Sequence, residues 1–267
     1  MFNQRPDNLL HNMTEKNKDH HEELLDHEWE KSERNTIIEA LKSGKKIAEI
    51  IKDVPGFQKA FDHRLTCLEC SDGRVCSGAK LGLPGASGIL LSEEGKKILA
   101  EVLRDKGLLL TGHESCGAAA LAHPGDDSDK YGYENVRALA TVTGNSYGEV
   151  YKDQFVCSVH NERSLVLEGT GRFDCANWKE FPAQFINSAP FLGLPDGDIK
   201  NTVTALSQIA FSDHGYGQRF NAQNPFYVIV SADSQEKLDH LLTLAHEAVK
   251  DFGDKVKVDG FIAPDKK

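Results

Sequence analysis

The sequence predicts an α/β fold: a mainly parallel β-sheet flanked by helices, with a helical N-terminal arm. Three observations predict it. Residues 64–112 run strand, loop, helix, strand, the pattern of a parallel crossover. An apolar strand at 226–230 precedes another helical stretch, and a polar segment of helical period lies ahead of both. With 267 residues the chain can bury a core without disulfide staples. The expected division is a helical arm over 1–55 and a single α/β domain over 56–267, with no internal repeat and no linker visible.

The elements follow from local signals. Residues 19–52 carry a broken apolar stripe of Leu24, Leu25, Trp29, Ile37, Ile38, Leu41, Ile47, Ile50 and Ile51. Such an arm can cover its own core or a neighbouring subunit, and the sequence leaves both open. A short helix is expected at 55–63, then strands at 64–70 (RLTCLEC) and 107–112 (GLLLTG). Between these strands lie a Gly-rich loop, 81–88 (LGLPGASG), and a helix with Ser92 as N-cap, Glu93 and Glu94 in its first turn, and Gly107 beyond its end. Residues 115–122 (SCGAAALA) read as the next helix. Further on, a strand is expected at 138–143, a hairpin from 155–160 and 164–168, helices at 178–187, 198–211 and 234–252, and the strand at 226–230.

Composition narrows the function. The net charge is −10, from 31 basic and 41 acidic residues. That balance argues against nucleic acid or an anionic membrane surface as partner, since both select a basic stripe. No apolar run is long enough to span a bilayer, and the N-terminus lacks the apolar core of a signal peptide, so a cytoplasmic location is expected. Cysteines stand at 67, 70, 76, 116, 157 and 175, four of them between Cys67 and Cys116. In a reducing compartment such clustering points to metal or catalysis.

Two clusters carry the chemistry: Cys70-Ser71-Asp72-Gly73-Arg74 after the first strand, and His113-Glu114-Ser115-Cys116-Gly117 after the second. A parallel crossover brings both to the carboxyl edge of one sheet, where open α/β sheets bind ligands. Cys70, His113 and Cys116 then supply two thiolates and an imidazole, a donor set suited to tetrahedral zinc with a fourth position open. Zinc at such a position lowers the pKa of bound water from about 15.7 to roughly 7. Asp72 is placed to accept a hydrogen bond from that water or to displace it, and Arg74 is its natural ion-pair partner.

The pair of motifs, Cys-Ser-Asp-Gly-Arg-Val and Gly-His-Glu-Ser-Cys-Gly, resembles the two signatures of β-class carbonic anhydrases. The resemblance covers about residues 60–125 and, more loosely, the segment 155–168. Where that family carries a strand ending in arginine, asparagine, alanine and glycine, this chain has KLGLPGASG at 80–88. The resemblance implies that Cys70, His113 and Cys116 bind zinc and that Asp72 and Arg74 form a dyad gating the fourth position. It further implies reversible hydration of carbon dioxide to bicarbonate, and a homodimer with active sites at subunit contacts. Hydrolysis of carbonyl sulfide or carbon disulfide on the same site, or an inactive zinc protein that senses bicarbonate, are the alternatives.

Plainer readings apply to other residues. A closed site of Cys67, Cys70, His113 and Cys116 competes with the open one, although strand alternation turns Cys67 and Cys70 to opposite faces. Cys76 reads as a structural or pocket thiol, and Cys157 and Cys175 as small core residues. The loop 81–88 lacks the lysine and hydroxyl residue of a phosphate cradle. His20, His21 and His27 read as a solvated helix face. Residues 127–134 have Tyr131 where a calcium loop needs a ligand, and Asp198 reads as the N-cap of its helix.

Overall fold

A computed structural model describes residues 15–54, 57–61, 66–75, 80–174, 180–213 and 215–265, with side chains from residue 20 onward. The arm comprises α1 (Glu15–Glu33), α2 (Thr36–Lys42) and α3 (Ile47–Ile50), the last running into a 3₁₀ turn at Ile51–Asp53. Then follow β1 (Cys67–Glu69), β2 (Lys80–Gly82), α4 (Glu93–Leu103), β3 (Leu109–His113), α5 (Gly117–Ala122), α6 (Ser128–Thr143) and β4 (Ser146–Val150). The remainder is β5 (Ser164–Glu168), β6 (Gln184–Asn187), α7 (Asp196–Ala210), β7 (Phe226–Ala232), α8 (Gln235–Val249) and β8 (Val256–Ile262).

The eight strands form two four-stranded sheets, ordered β2-β1-β3-β4 and β6-β5-β7-β8. Every pairing is parallel. The expectation of no internal repeat is therefore overturned: both halves lay down strands in the same order, with a helix between the second and third and another helix before the fourth. Equivalent strand ends even read alike, Leu68-Glu69 before Cys70-Ser71-Asp72-Gly73-Arg74 and Leu167-Glu168 before Gly169-Thr170-Gly171-Arg172. So few shared residues escape notice without the strand register. Register places Asp233 where the first half has His113, and neither cysteine has a counterpart after β5 or β7. The Cys70, His113 and Cys116 set belongs to one half only.

The halves meet edge to edge. Ser188 N–H donates to the Gly82 carbonyl at 2.6 Å, Gly82 N–H to Ser188 Oγ at 3.1 Å, and Ile186 N–H to the Ser71 carbonyl at 3.0 Å. One apolar core spans both halves, joining Leu68 and Leu110 to Leu165, Leu167, Val228 and Val230. The other face of the second sheet, with Val166, Ile186, Tyr227 and Ile229, is covered by Ile37, Ile38, Leu41, Ile47, Ile50 and Ile51 of the arm. Burying each isoleucine is worth about 2 kcal/mol, so this stripe is spent on the chain's own core. It does not serve as the subunit contact that the sequence left open.

Several expected elements are corrected. Residues 138–143 end α6 instead of forming a strand: Asp127 caps that helix, Gly144 at φ +68° closes it, and Val136, Leu139, Ala140 and Thr143 bury one helical face. The hairpin does not form. Residues 155–160 are no strand, and β5 is a central parallel strand buried on both faces. The helix expected at 178–187 is β6 over its last residues, paired parallel to β5, while 175–179 lie outside the described residues. Residues 81 and 82, expected within the Gly-rich loop 81–88, form with Lys80 an edge strand of the first sheet. Asp198 lies inside α7, whose N-cap is Pro195. Its carboxylate instead accepts Ser92 N–H at 2.8 Å and Ser92 Oγ–H at 2.7 Å, tying the start of α4 to the second half.

The seam gives a test. A Cβ added at Gly82 would sit 2.1 Å from the Ile186 carbonyl oxygen. Gly82→Ala is expected to destabilise the chain by about 3 kcal/mol, read as a lower urea midpoint at unchanged slope. A midpoint within error of wild type would show that the halves do not depend on this contact.

Candidate metal centre

Because β1 and β3 are neighbours and parallel, the loops leaving them emerge side by side. Their ligand atoms meet: the sulfurs of Cys70 and Cys116 and a ring nitrogen of His113 lie within 4.8 Å of one another, all buried. Cys116 is the N-cap of α5. His113 Nδ1 lies 2.7 Å from the Glu114 carbonyl, which makes Nδ1 the protonated nitrogen and leaves a lone pair on Nε2. That Nε2 is buried and makes no hydrogen bond. An orphaned imidazole nitrogen facing two sulfurs is the arrangement a soft or borderline cation satisfies, so the residues fit zinc.

Without a cation the cluster still favours a thiolate. A hydrogen bond from the Cys116 thiol outweighs burial and, with His113, holds Cys70 well below the usual thiol range, while Cys116 is pushed up. Gly85 N–H also donates to the Cys70 sulfur, at 3.3 Å. Ala118, Ala119, Ile89 and Leu90 form the apolar wall beside the two cysteines.

The loops are fixed by contacts the sequence did not reveal. Lys80 is buried with its ammonium 3.8 Å from Glu69. It donates to the carbonyls of Cys70 at 3.0 Å, Asp72 at 3.1 Å and Val75, clamping the whole loop. On the other side, Ser115 is held at φ +51° and its N–H donates to Asp129 of α6. Gly112 and Gly132 let α6 approach β3. A Cβ at Gly132 would stand 2.5 Å from the His113 carbonyl and 3.3 Å from Cys116 Cβ.

Asp72 and Arg74 form the expected pair, fully inside the protein. Arg74 Nη2 donates to Asp72 Oδ2 at 2.7 Å and Nε to Oδ1 at 3.0 Å, and the Arg74 backbone N–H reaches Oδ1 at 2.9 Å. Arg74 Nη2 also reaches the Ser115 carbonyl at 3.2 Å, so the dyad bridges the two ligand loops. Phe155 lies under the guanidinium, 5.0 Å from its carbon to the ring centre. Burial drives the Asp72 carboxyl up, but Arg74, with help from His160, outweighs it and holds the group well below the usual carboxylate range.

Sequence reasoning missed two buried members of the site, His160 and Glu162, which with Asp72 form a second compact group. Glu162 accepts the Gly73 N–H at 2.8 Å, and His160 Nδ1 lies 3.1 Å from its other oxygen. The His-x-Glu spacing was a signal, since alternate residues of an extended segment share a face; reading 161–163 as a hairpin turn hid it. Cys67 is outside the cluster, so the closed four-ligand site does not form. Cys157 is half-buried and also apart, whereas Cys76 and Cys175 lie outside the described residues. Of the three histidines expected on a solvated face, His20 and His27 are exposed but His21 is half-buried. No described helix is long and apolar enough to cross a membrane.

Comparison of the chain with protein-family profiles, with curated proteins and with solved structures finds no match.

Two outcomes follow from this geometry. Gly132→Ala displaces His113 and Cys116 together and is expected to weaken zinc binding at least tenfold, measured by competition with a chromogenic chelator; unchanged affinity would detach α6 from the site. The Asp72 value lies below the unfolded-state value near 3.9. Stability from the dyad is thus present above about pH 4 and lost as pH falls through the depressed value. Arg74→Met removes the largest influence opposing burial, so acid unfolding followed by circular dichroism should begin at a higher pH than in wild type.

Proposed function

We propose that the protein is a zinc-dependent carbonic anhydrase, interconverting carbon dioxide and bicarbonate. The observation that carries this reading is a three-donor site, Cys70, His113 and Cys116, set beside the buried Asp72–Arg74 pair and an apolar wall of small side chains. Zinc held there supplies a Lewis acid that makes water nucleophilic at neutral pH. Ala118, Ala119, Ile89 and Leu90 suit a small apolar substrate. Asp72 accepts a hydrogen bond from the attacking water and orients it, and Arg74 keeps that carboxylate ionised and in one rotamer. A reducing compartment such as the cytoplasm keeps Cys70 and Cys116 as separate thiols. His160 and Glu162 come from the segment between the two halves, and Phe185 of the second half packs on His160. Part of the wall that the family draws from a subunit contact is here supplied within one chain, and a homodimer remains part of the proposal.

Stopped-flow hydration of carbon dioxide by the zinc-loaded protein, with carbonyl sulfide turnover in parallel, tests the reading. Wild type is expected to hydrate carbon dioxide and to hold one zinc per chain. Cys70→Ser, His113→Ala and Cys116→Ser should each remove both metal and activity, and Cys67→Ser should change neither. Arg74→Ala should keep zinc and lose most activity. Turnover of carbonyl sulfide alone moves the assignment to a hydrolase, and a zinc-loaded protein inert to both overturns it in favour of a binding role.

A further inference from the structure

We propose that the free edge of β8 binds an acidic, extended peptide segment of a partner protein, which adds to the second sheet as a fifth strand. This surface belongs to the second half and needs no metal. β8 is the outermost strand of its sheet, seven residues long and without proline. Its inner side pairs with β7, and just past its end the Ala263 N–H donates to the Ala232 carbonyl at 2.8 Å. Backbone direction alternates along a strand, so Val258, Gly260 and Ile262 turn their N–H and carbonyl groups away from β7. Among the described residues no strand receives them, and the outward Gly260 N–H bonds only to the neighbouring Asp259 carboxylate, at 2.9 Å. An edge of this length with open backbone groups is a template for a further strand.

Space for that strand is already present. Two recesses, of about 460 and 1030 Å³, follow one another along β8, the first lined by residues 256–259 and the second by 260–262. Each is walled on one side by the arm, with Leu41 and Ile51, and on the other by α8, with Val249 and Leu238. These two layers cover opposite faces of the sheet, so space that touches both of them and β8 lies beyond the strand's free edge.

Charge selects the occupant. The chain carries 41 acidic against 31 basic residues, yet Lys45, Lys46, Lys52, Lys59, Lys250 and Lys257 line the recesses and Asp259 is the sole acidic lining residue. Asp259 is already engaged by the Ile47 N–H at 2.8 Å and by Lys46 at 3.9 Å, the one ion pair these lysines make among the described residues. Four of the lysines lie on the arm side. On the α8 side stand Leu238, Val249 and Ile262, the last 47% exposed. A strand seated here meets lysines on one face and apolar side chains on the other, and acidic and apolar residues in alternation satisfy both. A second copy offering the same edge sets lysine against lysine, so these charges deter self-pairing while admitting an acidic strand. Nucleic acid has the charge but no backbone that donates and accepts in strand register.

The test titrates a fluorescein-labelled peptide of alternating glutamate and valine with the full-length protein and follows its anisotropy. The peptide is expected to bind, less tightly as salt is raised, and its lysine–valine counterpart is not. N-methylation of alternate amides keeps every side chain and removes the ladder bonds, and should weaken binding at least about tenfold. A Lys52→Glu, Lys59→Glu double variant should weaken it by a similar factor, at least about tenfold, with the urea midpoint unchanged. Hydrogen exchange should slow at the Val258 and Ile262 amides when the peptide is present. Absence of binding by the glutamate–valine peptide overturns the proposal. So does equal binding of the N-methylated peptide or of an oligothymidylate, either of which reduces the surface to a patch for polyanions. Protection of the same amides without peptide, in a protein that sediments as a dimer, overturns it in favour of a second copy.

Discussion

Parallel pairing of β1 with β3 decides which residues can meet. With Cys67 opposite Leu109 and Leu68 opposite Leu110, the chain leaves both strands at one edge of the sheet. The loops beginning at Cys70 and ending at Cys116 then have no room to diverge. An antiparallel neighbour would send them to opposite ends, tens of ångströms apart in a larger sheet and a full strand apart here. Every other feature of the centre refines this constraint: the Lys80 clamp on one loop, left-handed Ser115 in the other, and Arg74 bridging them.

The second constraint is burial of charge. Glu69, Lys80, Asp72, Arg74, His160 and Glu162 are all withdrawn from water within a short span. Isolated, each would cost several kcal/mol; arranged as alternating signs with backbone donors filling the spare lone pairs, they hold one another in place. Removal of one member leaves its partner's charge buried without compensation, so these residues specify geometry more than they add stability.

The two halves share a topology but have diverged in use. One keeps the donors for a metal; the other has Gly169 and Asp233 near the corresponding strand ends and places its sheet face against the arm. Its contribution to the centre is made across the seam, through Phe185 beside His160 and the backbone of Ile186 on Ser71. The arm is likewise more than a cover, since Glu28 and Glu33 of α1 anchor the segment carrying His160 and Glu162 through Asn161 and Arg163.

The sequence by itself determined the candidate donor set, Cys70, His113 and Cys116, and the Asp72–Arg74 pair. Their signals are local: short motifs at strand ends, an N-cap at Ser92, a helical stripe in the arm, and a strand rich in β-branched residues at 226–230. It also reached the parallel α/β class, because a helix between two strands leaves few alternatives. What only the tertiary structure decided depends on pairings distant along the chain. The 138–143 run is helical because it ends α6, which Asp127 caps and Gly144 closes, and one face of that helix packs on β3. Residues 164–168 and 184–187 pair with each other in parallel, although nothing local distinguishes them from a hairpin arm and a helix. Lys80 and Gly132 carry no motif, and His160 and Glu162 only the spacing of alternate residues; each takes its role from a partner brought close by the sheets: a loop of carbonyls, a buried carboxylate, or a backbone too near for a side chain.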